Sequence, residues 1–442
     1  MGRKAAVKQG KQVRFMANST PPGLRNQVIY SVYVRAHSPE GNFAGVARDL
    51  DRIRALGTDI VWLMPIHPIG KARRKGALGC PYAVRDFRAV NPEYGTLDDL
   101  RALLEAIHAR GMRCIIDVVY NHTSPDSILA RTHPEWFHHG PDGAPAPRIA
   151  DWSDVVDLDY AHAPLWDYQI DTLKAWAALV DGFRCDVASL VPAAFWRRAR
   201  AEVEPIRPGC IWLGESVEAA FVKENRDRGV PVWSDGELYT AFDLLYDYDI
   251  WAQFDAAAAG RAPLSRWVDA VNRQEWTYPA GYCKLRCLEN HDNPRAAHRF
   301  PNRAALACWT ALQFFLKGTP LIYAGQEACD PRTPSLFERE AVDWSGPDLS
   351  PLIRRLAQLK RDPLFADGAF SLTALDSQGA VVGRYAGEGR ALTGVFPLRG
   401  MCAPLPVPLA DGTYEDLIGG GLVTVTGGAL DPRGRPVLIS AP

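Results

Sequence analysis

No run of about 20 consecutive apolar residues occurs in the 442-residue chain, so no segment is expected to span a membrane. The stretch from Met1 to Gly23 lacks even the apolar core of about 7 to 15 residues that a secretory signal needs. Arg3, Lys4, Lys8, Lys11 and Arg14 punctuate it instead, and export is not expected. An excess charge of one sign is also missing, with 50 Lys and Arg against 51 Asp and Glu. No long-range attraction then draws the chain to nucleic acid or an anionic membrane, and the expected partner is neutral. Nine cysteines contain no CxxC pair, which argues against a zinc or dithiol redox site. Cys114, Cys185 and Cys287 fall inside apolar runs, where thiols behave as small hydrophobes, and a reducing cytoplasm is expected. Cys80, Cys329 and Cys402 are expected to be less buried. There is no internal repeat with a period of about 20 to 50 residues, and no low-complexity tract beyond the basic tail.

What the chain does contain is a long alternation of short β-type runs and amphipathic stretches, the pattern of βα units around a parallel sheet. Eight strands can be counted: Val28 to Val34, Ile60 to Met64, Arg113 to Val118, Gly182 to Asp186, Ile211 to Glu215, Leu238 to Phe242, Leu285 to Asn290 and Pro320 to Tyr323. Helices are expected between them, as at Leu97 to Arg110 behind the cap Thr96, and at Ala304 to Phe315. The fold class is therefore α/β, a (β/α)8 TIM barrel over 28–362 behind an N-terminal basic tail over 1–27. The connection after the third strand, 120–164, is too long for a plain βα loop and reads as a short inserted subdomain. Beyond 362 the texture turns to alternating segments with turn glycines, at Ala380 to Tyr385, Ala391 to Phe396 and Gly421 to Thr426, which predicts a small C-terminal antiparallel β domain over 363–442.

In such a barrel, polar residues at the C-terminal ends of strands converge on one face. Four strand ends carry them: Cys114-Ile-Ile-Asp-Val-Val-Tyr-Asn-His122, Gly182-Phe-Arg-Cys-Asp186, Ile211-Trp-Leu-Gly-Glu215 and Cys287-Leu-Glu-Asn-His-Asp292. Asp186, Glu215 and Asp292 should face one pocket. Asp186 and Glu215 are separated by one βα unit, so they sit at equivalent ends of adjacent strands and can flank one glycosidic bond. Two carboxyl groups about 5 to 5.5 Å apart allow one to attack the anomeric carbon while the other protonates the leaving oxygen. Arg184 shares a strand face with Asp186 and is expected to hold it ionised. Glu215 has no equivalent adjacent cation in the sequence, so desolvation behind Ile211, Trp212 and Leu213 is expected to keep it protonated.

These motifs resemble the alpha-amylase family of glycoside hydrolases. Asp117-Val-Val-Tyr-Asn-His122, Gly182 to Asp186, Gly214-Glu215 and Glu289-Asn-His-Asp292 occur in the family's order. Ile60 to Pro65, Tyr82, Asn91 to Thr96 and Gly318 to Glu327 are also similar to family segments. The resemblance implies Asp186 as nucleophile, Glu215 as general acid/base and Asp292 as a third catalytic carboxylate that binds sugar hydroxyls. It places His122, Arg184 and His291 around the sugar, with Tyr82 either stacking on it or serving as a core tyrosine. No cofactor is implied for the chemistry.

Two departures qualify the resemblance. Many calcium-dependent members carry Lys-His shortly after the nucleophile, where this chain has Ser189-Leu190. Asn121 is retained, and Asp151, Asp154, Asp157 and Asp159 can supply hard oxygen ligands for a structural calcium or form a solvated loop. The insert is also short, and its His133, Trp136, Phe137, His138 and His139 can form a sugar platform, a metal cluster or the loop's own core. The implied activity is retaining hydrolysis of alpha-1,4-glucosidic bonds in malto-oligosaccharides or starch-like glucans. A transglycosylase (4-alpha-glucanotransferase), an isomerase, and an alpha-1,6- or sucrose-acting enzyme share the same constellation. A non-catalytic binding module is disfavoured by retention of all three carboxylates and Arg184, and a metal-dependent barrel hydrolase by the absence of a His-x-His pair. Nothing in the sequence bears on oligomeric state.

Overall fold

The structure, a computed structural model, describes residues 16–149, 151–387, 389–400 and 403–442. Eight parallel strands close a barrel in sequential order: β1 (Ile29–Val32), β2 (Ile60–Leu63), β3 (Arg113–Val118), β4 (Gly182–Cys185), β5 (Ile211–Gly214), β6 (Leu244–Tyr246), β7 (Lys284–Arg286) and β8 (Thr319–Tyr323). The strands are rich in Ile, Leu, Val and Tyr and buried almost throughout, as expected of a parallel sheet covered by helices. The helix Leu97–Ala109 starts on a capping box, with the Thr96 side chain accepting the Asp99 N–H and Asp99 accepting the Thr96 N–H. It buries Leu100, Leu103, Leu104 and Ile107. The helix Arg303–Phe315 starts on an Asn302 cap.

The sixth strand corrects the sequence expectation. Leu238 to Phe242 is not a strand: Ser234 and Glu237 form a capping box that nucleates a helical turn, Asp235–Leu238, and the apolar residues after it pack inward. The strand itself is the three-residue run Leu244–Tyr246.

The basic residues Arg3 to Arg14 lie outside the described residues. The remainder of the expected tail packs on the barrel, with two 3-10 turns at Met16–Ser19 and Pro22–Asn26. The buried Arg25 guanidinium donates to the carbonyls of Ala280, Tyr282 and Ala366. In the insert after β3, His122–Thr123 pairs antiparallel with Val156–Asp157. Its aromatic residues form the loop's own core: Trp136 and Phe137 are buried, and His133 stacks on Trp136 with centroids 3.9 Å apart.

The C-terminal region holds two four-stranded antiparallel sheets. The first comprises Ala369–Leu375, Ala380–Gly387, Arg390–Pro397 and Val437–Ala441. It packs on the end of the helix Arg303–Phe315, where Phe315 meets Phe370, Tyr385 and Phe396. Gly383 is required at this contact, because a Cβ there would stand 2.2 Å from the Phe315 ring. Eight cysteines among the described residues are free thiols, seven of them buried, including Cys329; Cys80 is half-buried, and Cys402 lies outside the described residues. No helix among the described residues is long and apolar enough to cross a membrane.

Candidate active site

Register places the chemistry. Asp117 of β3 pairs with Arg184 of β4, and Cys185 of β4 pairs with Gly214 of β5. The next residue on each of the latter strands, Asp186 and Glu215, therefore emerges side by side at the rim. Arg184, fully buried, ties the group together. Its Nη1 donates to Asp117 Oδ1 at 2.9 Å and to Asp186 Oδ1 at 2.7 Å. Its Nη2 stands 2.9 Å from Glu215 Oε1, an ion pair whose angle falls short of a hydrogen bond. Trp62, Tyr82 and Tyr246 surround the guanidinium within 5.2 to 5.6 Å of their ring centroids, where cation–π attraction helps hold a desolvated charge.

This revises the expectation that Arg184 serves Asp186 alone. A sequence shows which residues share a strand face but not which neighbouring strand end a planar fork can also reach. It also revises the expected ionisation. Burial pushes the Asp186 carboxyl up to about 6, against the opposing pull of Arg184. Burial likewise pushes Asp117 to about 6 and Glu215 to about 7, again against Arg184. The order survives, and Glu215 keeps its proton to higher pH than Asp186.

One oxygen of Asp186 is tied down and the other is free. Oδ2 is buried without a hydrogen-bond partner, with His122 Nε2 3.9 Å away, beyond bonding distance. Glu215 Oε2 accepts the backbone N–H of Val187 at 2.8 Å. On the opposite side, His291 Nε2 lies 3.1 Å from Asp292 Oδ2 and 2.8 Å from the Tyr82 hydroxyl. Burial works against both charges of the His291–Asp292 pair, but their mutual attraction outweighs it, raising the imidazole and lowering the carboxyl. Burial lowers His122.

Asp186, Glu215, Asp292, Tyr82, His122 and His291 line one cavity of about 320 Å³, and Arg184 lies beneath them. That volume is near the lower end of the range for small-molecule sites, about 300 to 1,000 Å³. Two roomier clefts of about 680 Å³ lie elsewhere, and neither includes Asp186, Glu215 or Asp292. Tyr82 is only 8% exposed and joins the wall to the core, because its hydroxyl also reaches Asp117 Oδ2 at 3.1 Å.

Several lining residues carried no sequence signal. Lys75, Trp152 and Phe337 come from three different loops, joined over the cavity by the Lys75–Asp154 ion pair at 2.9 Å and by the Leu78 N–H to the Phe337 carbonyl at 2.9 Å. Val187 and Tyr248 also line it. Tyr248 sits two residues beyond β6, behind a strand too short to show a periodic signal.

The insert's acids are dispersed. Asp151 is exposed, Asp154 pairs with Lys75, and Asp159 lies 3.9 Å from both Arg148 and His162. Asp157 is buried and accepts the Arg148 backbone N–H at 3.1 Å, with the guanidinium 3.7 Å away. Its Oδ1 is unpartnered. The Asn121 amide nitrogen faces His122 Nδ1 at 3.2 Å. Calcium takes about six to eight oxygens; here Asn121, Asp157 and Asp159 border one cleft together with Arg148, whose cation faces the Asp157 carboxylate at 3.7 Å. No cluster of three or more His, Cys, Asp or Glu that could hold a metal occurs among the described residues.

A family model of the alpha-amylase catalytic domain matches residues 13–141 and 149–343, and one of the bacterial alpha-amylase C-terminal domain matches 371–439. The chain belongs to the alpha-amylase family. It is 47% identical to a crystallised alpha-amylase from Lactobacillus plantarum, covering 96% of this chain and 100% of that one with a TM-score of 0.93. Alpha-amylase MalA of Haloarcula japonica is 29% identical over 324 residues, 70% of this chain and 45% of that protein. Alpha-1,4-glucan:maltose-1-phosphate maltosyltransferase 2 of Streptomyces coelicolor is 27% identical over 367 residues, 74% of this chain and 51% of that protein. The chain spans about half the length of these two curated relatives.

Proposed function

We propose that this alpha-amylase family member hydrolyses alpha-1,4-glucosidic bonds in malto-oligosaccharides or starch-like glucans through a covalent glycosyl-enzyme. The observation that carries this is the single guanidinium of Arg184 held by carboxylates on two adjacent strand ends, with one Asp186 oxygen left free in the cavity. Asp186 Oδ2 attacks the anomeric carbon while Glu215 gives its proton to the departing glycosidic oxygen. In the second half, Glu215, now ionised, takes a proton from water as the water displaces Asp186, so two inversions restore the alpha configuration. Asp292 and His291 bind hydroxyls of the distorted ring, His122 borders the same sugar, and Tyr82 presents its face to it. Free, buried thiols fit work in a reducing cytoplasm.

Transfer to a sugar acceptor shares the first half-reaction, and the likeness to a maltosyltransferase favours it as the second reading. Incubation with maltoheptaose, starch, pullulan, sucrose and trehalose separates these readings. Glucose and maltose alone mark hydrolysis, whereas products longer than the substrate mark transfer. A fluorinated glycosyl substrate should leave an adduct on the peptide carrying Asp186, and an adduct elsewhere would contradict the assignment.

A further inference from the structure

The Tyr248 phenol is held as an acceptor by an amide whose orientation is fixed. Asn290 Oδ1 accepts the backbone N–H of Asp292 and the Asn293 amide, both at 2.9 Å. A backbone N–H can only donate, so the amide cannot be reversed, and Asn290 Nδ2 must be the group that meets the Tyr248 oxygen at 2.7 Å. Asn293 Nδ2 adds a second donor to the same oxygen at 3.2 Å. The phenol therefore keeps its own proton for another acceptor, and among the described residues its hydroxyl makes no bond as donor.

Tyr248 lines the cavity together with Glu215 and Asp292. Among the described residues no hydrogen bond runs from the phenol to either acid. Glu215 has Oε2 on the Val187 N–H and Oε1 against Arg184, and Asp292 Oδ2 is paired with His291. Burial raises the phenol well above its ordinary value, so the proton stays in place at any pH at which the enzyme works.

We propose that Tyr248 is a substrate-contacting specificity residue, which donates its hydroxyl proton in a hydrogen bond to an oxygen of the bound sugar between Glu215 and Asp292. Asn290 and Asn293 are its positioning residues. The inference rests on the glucan-hydrolase reading above and adds a group that the family motifs do not contain.

Tyr248→Phe removes the hydroxyl and keeps the ring. On maltotriose, kcat/KM should fall about three- to tenfold, the size of one neutral hydrogen bond. The basic limb of the pH profile should stay where it is in the unsubstituted protein, while the melting temperature falls modestly because the Asn290 and Asn293 amides lose their acceptor. A kcat/KM within twofold of the parent would overturn the proposal. So would a loss accompanied by a moved basic limb, which would mean the proton goes to Glu215. If the unsubstituted protein cleaves no alpha-glucan, the parent reading fails first and is identified as the cause.

Discussion

Val187 bends its backbone to reach Glu215. Its N–H donates to Glu215 Oε2 at 2.8 Å from a left-handed conformation, φ 40°, which costs a β-branched residue on the order of 1–3 kcal/mol. Because Val187 directly follows Asp186, the strained residue ties the segment carrying one carboxyl to the other. Arg184 makes the same link from below, so the two groups are fixed relative to each other from both sides.

Activity should follow a narrow bell in pH. The proposed double displacement needs Asp186 ionised and Glu215 protonated, and burial pushes these carboxyls to about 6 and about 7. The rate should rise through the first value and fall through the second. Glu215→Gln should lower kcat on ordinary sugars by about 10²- to 10⁴-fold and abolish the basic limb on a glycosyl fluoride, which needs no acid. Retention of that limb would assign it to another group.

The same substitution should stabilise the fold at high pH. Glu215 is raised from 4.5 to about 7 in the folded protein, so the folded state binds its proton more tightly than the unfolded chain. That stabilisation is complete below pH 4.5 and is lost as pH rises through about 7. Glu215→Gln should therefore be more stable than the parent at pH 8, by about 3 kcal/mol at most, with the gap closing toward pH 4.5. Denaturant melts at both pH values measure it, and an equal gap at both would contradict the burial argument.

Chelation should change little. Arg148 stands 3.7 Å from the Asp157 carboxylate and donates its backbone N–H to it, so the insert has its own counter-charge. Dialysis against EDTA should leave the melting temperature and kcat/KM unaltered. A loss restored by added calcium would show that Asp157 and Asn121 bind a cation after all.

Much of this was legible in the sequence because carboxylates standing directly behind apolar strand runs betray themselves. Asp186, Glu215 and Asp292 needed only the strand periodicity and a barrel to bring them together. Tyr82, His122 and His291 have no such local signature and came from the order of motifs. The double pairing of Arg184 depends on register between β4 and β5, which no single strand encodes. Tyr248 was hidden by β6, a strand of three residues behind a capped helical turn whose apolar side chains imitate a strand. Lys75, Trp152 and Phe337 lie on loops without periodicity, and only the closed fold sets them over the same cavity.

The central claim, double displacement at Asp186, is tested most directly by proton NMR during the first minutes of malto-oligosaccharide cleavage, before mutarotation mixes the anomers. The two carboxyls share one guanidinium at 2.7 and 2.9 Å, which supports the close spacing that retention requires rather than the roughly 6.5 to 9.5 Å that accommodates an inverting water. The newly formed reducing end should appear first as the alpha anomer. An initial beta anomer would contradict the claim.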